Sequence, residues 1–343
     1  MPDQDRLSQN HAGQRQPHHD SDTPVHASAD SCLDALFART GPHVVIGTPL
    51  GIGKPHRLLN ALYARGAVDP SRPWSLYTAL SLDPPAGGKG LEGRFVTPFA
   101  TRHFGDDFPR LDYVRAMKRD ALPAHMEVEE FYMQGGALLR STTAQRLYAS
   151  LNYTHVARAL ADRALNVIVQ KVAREPGGTR LSFSCNNDLT LDTVDAIVAR
   201  GLQRPLMVAE VDPHLPWIGG TAAVDEDYFD LVLSPPGPYP TLFGLPRQPV
   251  SDVDYAIGLY ASTLVRDGGT LQIGIGAMGD ALAAALLARQ GDAPEYQALL
   301  ADLDLAPWQV LIEREGGTAP FAQGLYGCSE MFVNGLLALA EAG

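Results

Sequence analysis

Two glycine-rich turns hold the residue types and spacings that could do chemistry. Gly274-Ile275-Gly276-Ala277-Met278-Gly279 is a GxGxxG that follows an apolar strand pattern and precedes a helical one, the placement of a dinucleotide fingerprint. Closely set backbone N–H groups at a helix N-terminus stabilise either a pyrophosphate or a developing oxyanion, and the geometry alone does not choose between them. An NAD-binding oxidoreductase built on Gly274, Gly276 and Gly279 would need an acid about 20 residues on, at the end of a second strand. Asp292 and Glu295 fall instead in a polar stretch, and the next strand-like run, 308–312, comes later. Taken by itself the glycine pattern favours a helix-capping turn over a binding role.

The second turn, GTPLGIGKP at 47–55, sits between a strand and a helix and looks like a phosphate-binding loop. Five residues separate Gly47 from Gly53 where that motif has four, and Pro55 replaces the Ser or Thr that would hold magnesium. The plainer expectation is a tight strand-to-helix turn, with Pro55 in the first helical turn and Lys54 exposed.

The remaining reactive side chains carry less. His155 and His214 lie in segments readable as packing or turn, which favours a non-catalytic role over that of a base. Cys32, Cys185 and Cys328 are odd in number and form no CxxC, so neither a disulfide framework nor a zinc site is indicated. Cys328 lacks a His/Asn partner pattern and reads as a buried small residue. His11, His18, His19 and His26 stand in a polar stretch without cysteines or suitably placed carboxylates, so a solvated tail is favoured over a metal site.

The elements that must position these turns follow a repeating theme. Apolar runs at 44–46, 167–169 and 206–211 read as strands, and 54–65, 148–164 and 191–200 carry helical spacing. That alternation predicts an α/β fold, a mostly parallel sheet covered by helices. Residues 1–31 are too polar to offset their ordering entropy by burial and are expected to form a disordered tail. An N-terminal α/β domain then spans 32–233, a proline-rich linker 234–250, and a second unit 251–343 with helices at 252–265 and 280–289 around a strand at 270–273.

The 343 residues, 45% hydrophobic and 19% charged, suffice for two domains with buried cores. A net charge of -12 argues against a surface that tracks nucleic-acid phosphates. No apolar run approaches the roughly 18 residues of a membrane span, and no signal core opens the chain, so a cytoplasmic protein is expected.

Three segments, VVIGTPLGIGKPHRLLNALYARG, GGTLQIGIGAMGDALAAAL and GLYGCSEMFVNG, resemble the acetyl-CoA hydrolase/transferase family of class I CoA-transferases. NYTHVARALADRALNVIVQKV, SCNNDLTLD and AEVDPHLPWIGG are also similar to family material. The resemblance implies two related CoA-transferase-like domains, the second incomplete. The interval 290–323 is longer than in compact members and resembles a longer subgroup. The family usually has Pro where this chain has Gly279, a departure expected to loosen the loop.

Carried over position by position, the family's G-x-S-E-M segment makes Glu330 the catalytic nucleophile; without the resemblance it would be one acid among 39. Gly274, Ile275, Gly276, Ala277 and Met278 are the residues implied to hold coenzyme A or an oxyanion. The implied substrate is acetyl-CoA or a similar short acyl-CoA, with a carboxylate or water as acceptor, no metal, and a homo-oligomeric enzyme. A glutamate is ionised at neutral pH and needs no general base, and burial would strip the water that blunts it. The chain stops thirteen residues after Glu330, so it is expected to be the N-terminal portion of a longer member and weakly active. Met331 to Ala340 is apolar nearly all round, a pattern expected under a covering surface. A non-catalytic acyl-CoA-binding fragment is the alternative from a different class.

Overall fold

The computed structural model describes Thr23–Ser329 and Met331–Gly343. The chain divides into two compact units between Gly244 and Leu245.

The first unit runs β1 (Val25–His26), α1 (Ala29–Arg39), β2 (Val44–Gly47), α2 (His56–Val68), β3 (Trp74–Thr78), α3 (Leu91–Phe104), α4 (Asp112–Met117) and β4 (Met126–Glu130). It continues with α5 (Thr142–Arg146), α6 (Tyr153–Asp162), β5 (Val167–Arg174), β6 (Leu181–Ser182), α7 (Thr190–Ala199), β7 (Leu206–Val211), β8 (Ala223–Val224) and β9 (Leu231–Leu233). Seven strands lie in the order β1-β9-β7-β5-β2-β3-β4, every neighbouring pair parallel. The short β6 and β8 form an antiparallel ribbon on the end of β5. The fold is α/β with a mostly parallel sheet, as the alternating pattern predicted.

The two faces of the sheet are buried by different helices, which is why β5, VIVQKVAR, is buried along all but its last residue. On one face Ile46, Val169 and Val208 pack with Leu33 and Leu36 of α1 and Leu58, Leu59 and Leu62 of α2. On the other, Ile168, Val172, Met207 and Val211 pack with Ala161 of α6 and Val194 and Ile197 of α7. Strand order reverses between β2 and β5: β3 and β4 extend one way from β2, and β7, β9 and β1 extend the other way from β5. In open α/β sheets the crevice beyond the C-terminal strand ends at such a reversal is where ligands bind.

The second unit holds α8 (Asp252–Ser262), β10 (Thr270–Gln272), α9 (Ala277–Gly291), α10 (Ala293–Ala301), α11 (Gln309–Glu315), β11 (Tyr326–Cys328) and α12 (Asn334–Glu341). A capping box starts α8: Ser251 Oγ accepts the Asp254 N–H at 3.2 Å and the Asp254 carboxylate accepts the Ser251 N–H at 3.0 Å. β10 and β11 pair in parallel. Arg289 of α9 is 2% exposed and donates to the carbonyls of Ser262 (2.9 Å), Val265 (2.8 Å) and Ala319 (2.6 Å), with its guanidinium 4.1 Å from the centre of the Phe321 ring. One side chain thus ties the C-terminal end of α8 and the turn after it to the loop at 319–321.

Several expectations are corrected. The polar N-terminal stretch is structured before Ser31, because Val25–His26 pairs with β9 and Ser28 caps α1; residues 1–22, with His11, His18 and His19, lie outside the described residues. The strand-like run 308–312 is helical, its Val310 76% exposed where a strand would pair. Residues 234–250 contain no helix or strand, yet the stretch up to Gly244 is docked rather than free. Arg57 donates to the carbonyls of Pro236 and Pro238, and the Gly244 N–H donates to the His103 carbonyl at 2.7 Å. α12 leaves Leu337 42% exposed and buries Gly335.

Candidate active site

In the second unit, residues 274–276 form the turn from β10 into α9 and are exposed, and Ala277 and Met278 already belong to the first turn of that helix. The helix therefore begins three residues before the expected 280. Gly276 is its N-cap, with φ 134° and ψ 175°, a conformation open to glycine and no side chain to cap with. Among the described residues no acceptor is found for the N–H groups of residues 274–279; the first helical bond is from the Asp280 N–H to the Gly276 carbonyl, 3.1 Å. Unspent donors and the positive end of a 15-residue helix converge on the loop.

Gly279 does not loosen this loop. It is helical, and a Cβ there would lie 2.3 Å from the Gly274 carbonyl oxygen and 3.2 Å from Ile273 Cγ2. The absence of a side chain lets the loop fold down onto the helix.

β11 lies beside β10 in the register Thr270 to Tyr326, Leu271 to Gly327 and Gln272 to Cys328. The ladder ends with the Ile273 N–H donating to the Cys328 carbonyl at 3.0 Å. The glycine loop and Ser329 therefore leave the same end of one small parallel sheet. Ser329 Oγ is buried without a partner among the described residues. Glu330 itself lies outside the described residues.

The other candidates occupy unremarkable places. His155 is exposed on α6, and His214 is exposed with its Nδ1 3.0 Å from the Pro240 carbonyl. Cys328 is half-buried. No cluster of His, Cys, Asp or Glu able to hold a metal occurs among the described residues, and no described helix is long and apolar enough to cross a membrane.

In the first unit, buried charge gathers at the C-terminal ends of the strands, which sequence reasoning passed over. Lys54, expected to be exposed, is 0% exposed and donates to the carbonyls of Pro49 (2.8 Å) and Ala79. Burial pushes its ammonium down to about 8, against the pull of Glu130 and then Asp188. Glu130, at the end of β4, accepts from the Ser81 hydroxyl and is raised by burial, with Lys54 opposing. His56, first in α2, stacks edge-on to Phe108 at 5.1 Å, and burial, then Lys171 and Lys54, hold its imidazole well below the ordinary value. Lys171 pairs with Asp212 at 3.1 Å, and Glu210 accepts the Leu58 N–H at 2.9 Å. The signal for this cluster was a Gln-Lys pair inside VIVQKVA and a Glu and Asp inside AEVDP, charges where a parallel strand wants none.

No family model matches the chain. Over 101 residues it is 32% identical to a 4-hydroxybutyrate coenzyme A transferase of Clostridium kluyveri, a stretch that is 29% of this chain and 21% of that protein. Among solved structures, RipA from Yersinia pestis superposes with a TM-score of 0.56 at 16% identity, covering 93% of this chain and 59% of RipA. At that identity the likeness shows a shared fold. A 4-hydroxybutyrate CoA-transferase from Porphyromonas gingivalis covers 93% of this chain and 57% of its own at 18% identity, with a TM-score of 0.47 that is too low to argue from. The chain spans about a fifth of the curated relative it matches and about three fifths of RipA.

Proposed function

We propose that this chain belongs to the CoA-transferases and carries acyl-CoA chemistry, with Glu330 as nucleophile and the backbone of residues 274–278 as the binding site for coenzyme A or the thioester oxyanion. The observation that supports the reading is the paired end of β10 and β11, from which depart both the segment leading to Glu330 and a loop whose N–H donors have no acceptor among the described residues. The 101-residue similarity to a CoA transferase supports it independently.

In this proposal a Glu330 carboxylate oxygen attacks the thioester carbonyl carbon. The carbonyl π electrons move onto oxygen, where the helix N-terminal amides stabilise the charge. Collapse breaks the C–S bond, giving an acyl-glutamyl anhydride and CoA thiolate. The thiolate then attacks the glutamyl carbonyl, expelling the acyl group as its carboxylate and leaving a glutamyl-CoA thioester. An incoming carboxylate repeats these steps in reverse for transfer, or water hydrolyses the thioester and leaves Glu330 free. Acetyl-CoA or another short acyl-CoA is the proposed donor, in a cytoplasmic homo-oligomer.

Incubation with acetyl-CoA, rapid quenching and peptide mass spectrometry tests the assignment. The expected product is the peptide containing Glu330 heavier by CoA less one water, absent from Glu330→Gln. An adduct mapping to another residue, or unchanged turnover in Glu330→Gln, removes the proposal.

A further inference from the structure

The first unit contains a pocket of about 240 Å³ that the acyl-CoA reading does not use. It opens at the reversal of strand order: Arg57 comes from the start of α2, just after β2, Lys171 from β5, and Glu210 and Asp212 from the end of β7. Tyr239 and three prolines, Pro109, Pro238 and Pro240, supply most of the remaining wall. An apolar wall with a few convergent polar groups at a switch point is the usual form of a small-molecule site.

Lys171 and Glu210 are 4% exposed and sit directly opposite each other in the β5–β7 register. They nevertheless face different partners. Lys171 turns to Asp212, whose other oxygen accepts the His214 N–H at 2.9 Å. Glu210 turns its carboxylate to the first turn of α2, where the Leu58 N–H donates to Oε2 and the Arg57 N–H also supports it. One of the three ammonium hydrogens of Lys171 is thereby used, and Glu210 Oε1 keeps acceptor capacity. Holding two buried charges with unspent hydrogen-bonding capacity is costly unless something completes them. The charged lining adds two cations, Arg57 and Lys171, to three acids, Asp107, Glu210 and Asp212. A simple anion would enter a net negative lining, whereas a ligand carrying both signs can address Lys171 and Glu210 at once.

We propose that this pocket binds a short zwitterion, an amino acid whose carboxylate accepts from Lys171 and whose ammonium donates to Glu210. Each end of the ligand then meets a side chain of the opposite sign, and the short carbon chain between them lies against Tyr239 and the prolines. The inference does not depend on Glu330 and stands or falls apart from the acyl-CoA reading.

The test is titration of the full chain, by calorimetry and ligand-observed NMR, with glycine, β-alanine and 4-aminobutyrate, each beside the acid and the amine of equal chain length. At least one amino acid should bind saturably and at least tenfold tighter than its matching acid and amine. Lys171→Met and Glu210→Gln should each weaken it tenfold or more. Tyr239→Ala, at the wall and outside the buried charges, should also weaken it and gives the answer if either buried variant fails to fold. Absence of binding up to roughly 10 mM, which corresponds to less than about 3 kcal/mol, overturns the proposal. So does an acid or amine that binds as tightly as the amino acid, or binding that survives in Tyr239→Ala and every folded variant.

Discussion

Replacing Gly279 by alanine separates the position of the glycine loop from the stability of the helix beneath it. Gly279 is helical, so alanine gains about 1 kcal/mol in backbone propensity. Its Cβ, however, would lie 2.3 Å from the Gly274 oxygen, and contacts under 3.0 Å are not tolerated, so the loop must retreat by about 0.7 Å or more. Overpacking in a core costs about 1–3 kcal/mol, but residues 274–276 are exposed and can move outward for less. The two terms nearly cancel, and the unfolding free energy should stay within about 1 kcal/mol of the parent. Activity should not stay. A displacement approaching 1 Å in a group that positions a reacting atom costs up to about 100-fold, so thioester turnover in Gly279→Ala should fall by about 10- to 100-fold. Gly291→Ala, at the end of the same helix with nothing within 4 Å of the added carbon, is the control and should keep both properties. Steady-state acyl-CoA hydrolysis and urea titrations read the two quantities. Equal turnover in the two variants would refute the claim that the loop's placement on α9 matters for the chemistry.

Further outcomes follow from groups already described. Lys54 titrates near 8 in the fold against 10.5 in an unfolded chain, so its burial costs about 3 kcal/mol below pH 8, a penalty that fades as pH rises from about 8 to 10.5. The stability of the parent relative to Lys54→Met should therefore rise across that window in denaturant titrations, and a flat or falling difference contradicts the assigned burial. Arg289→Met leaves three carbonyls without their donor and should cost about 3 kcal/mol or more, seen as accelerated hydrogen exchange in peptides from 245–343 with 23–244 unaffected. Titration with NADH should give no saturable change in nicotinamide fluorescence, since neither Asp292, which caps α10, nor Glu295 in its first turn ends a strand.

What could be read from the sequence was what periodicity encodes. The strand at 206–211 has the predicted bounds, and 167–169 marks the start of the longer β5, because strands buried on both faces are uniformly apolar. Helix ends were less legible. α9 starts at Ala277 because Gly276 turns the chain by its own conformation, leaving none of the polar caps that announce a helix start. The run at 308–312 mixes Trp, Val, Leu and Ile and satisfies either period over so short a span; a single 3₁₀ turn at Ala306–Trp308 leads it into α11 instead. The glycine loop was located by its strand-to-helix setting. The role of Gly279 was hidden, since flexibility and close approach call for the same residue and only a neighbouring carbonyl distinguishes them.

The buried charges of the first unit were missed for a related reason: each is a single polar residue inside an apolar pattern, and only the assembled sheet shows that they share an end. β2, β3, β4, β5 and β7 begin with Val44, Trp74, Met126, Val167 and Leu206, which fill the core. Near or just past the opposite ends stand Thr48, Thr78, Glu130, Glu210 and Asp212, with Lys171 inside β5 level with Glu210, each less than 9% exposed. Apolar starts supply stabilisation at one edge of the sheet, while the other edge carries desolvated groups whose burial opposes folding. Packing alone gives no reason to retain charge there, since well-packed apolar residues of similar volume are often as stable as a buried ion pair. The asymmetry coincides with the reversal of strand order between β2 and β5, where parallel topology leaves a crevice. Two features of independent origin, the direction of the strands and the placement of buried charge, thus coincide at the same end of the first unit, where the proposed zwitterion site lies.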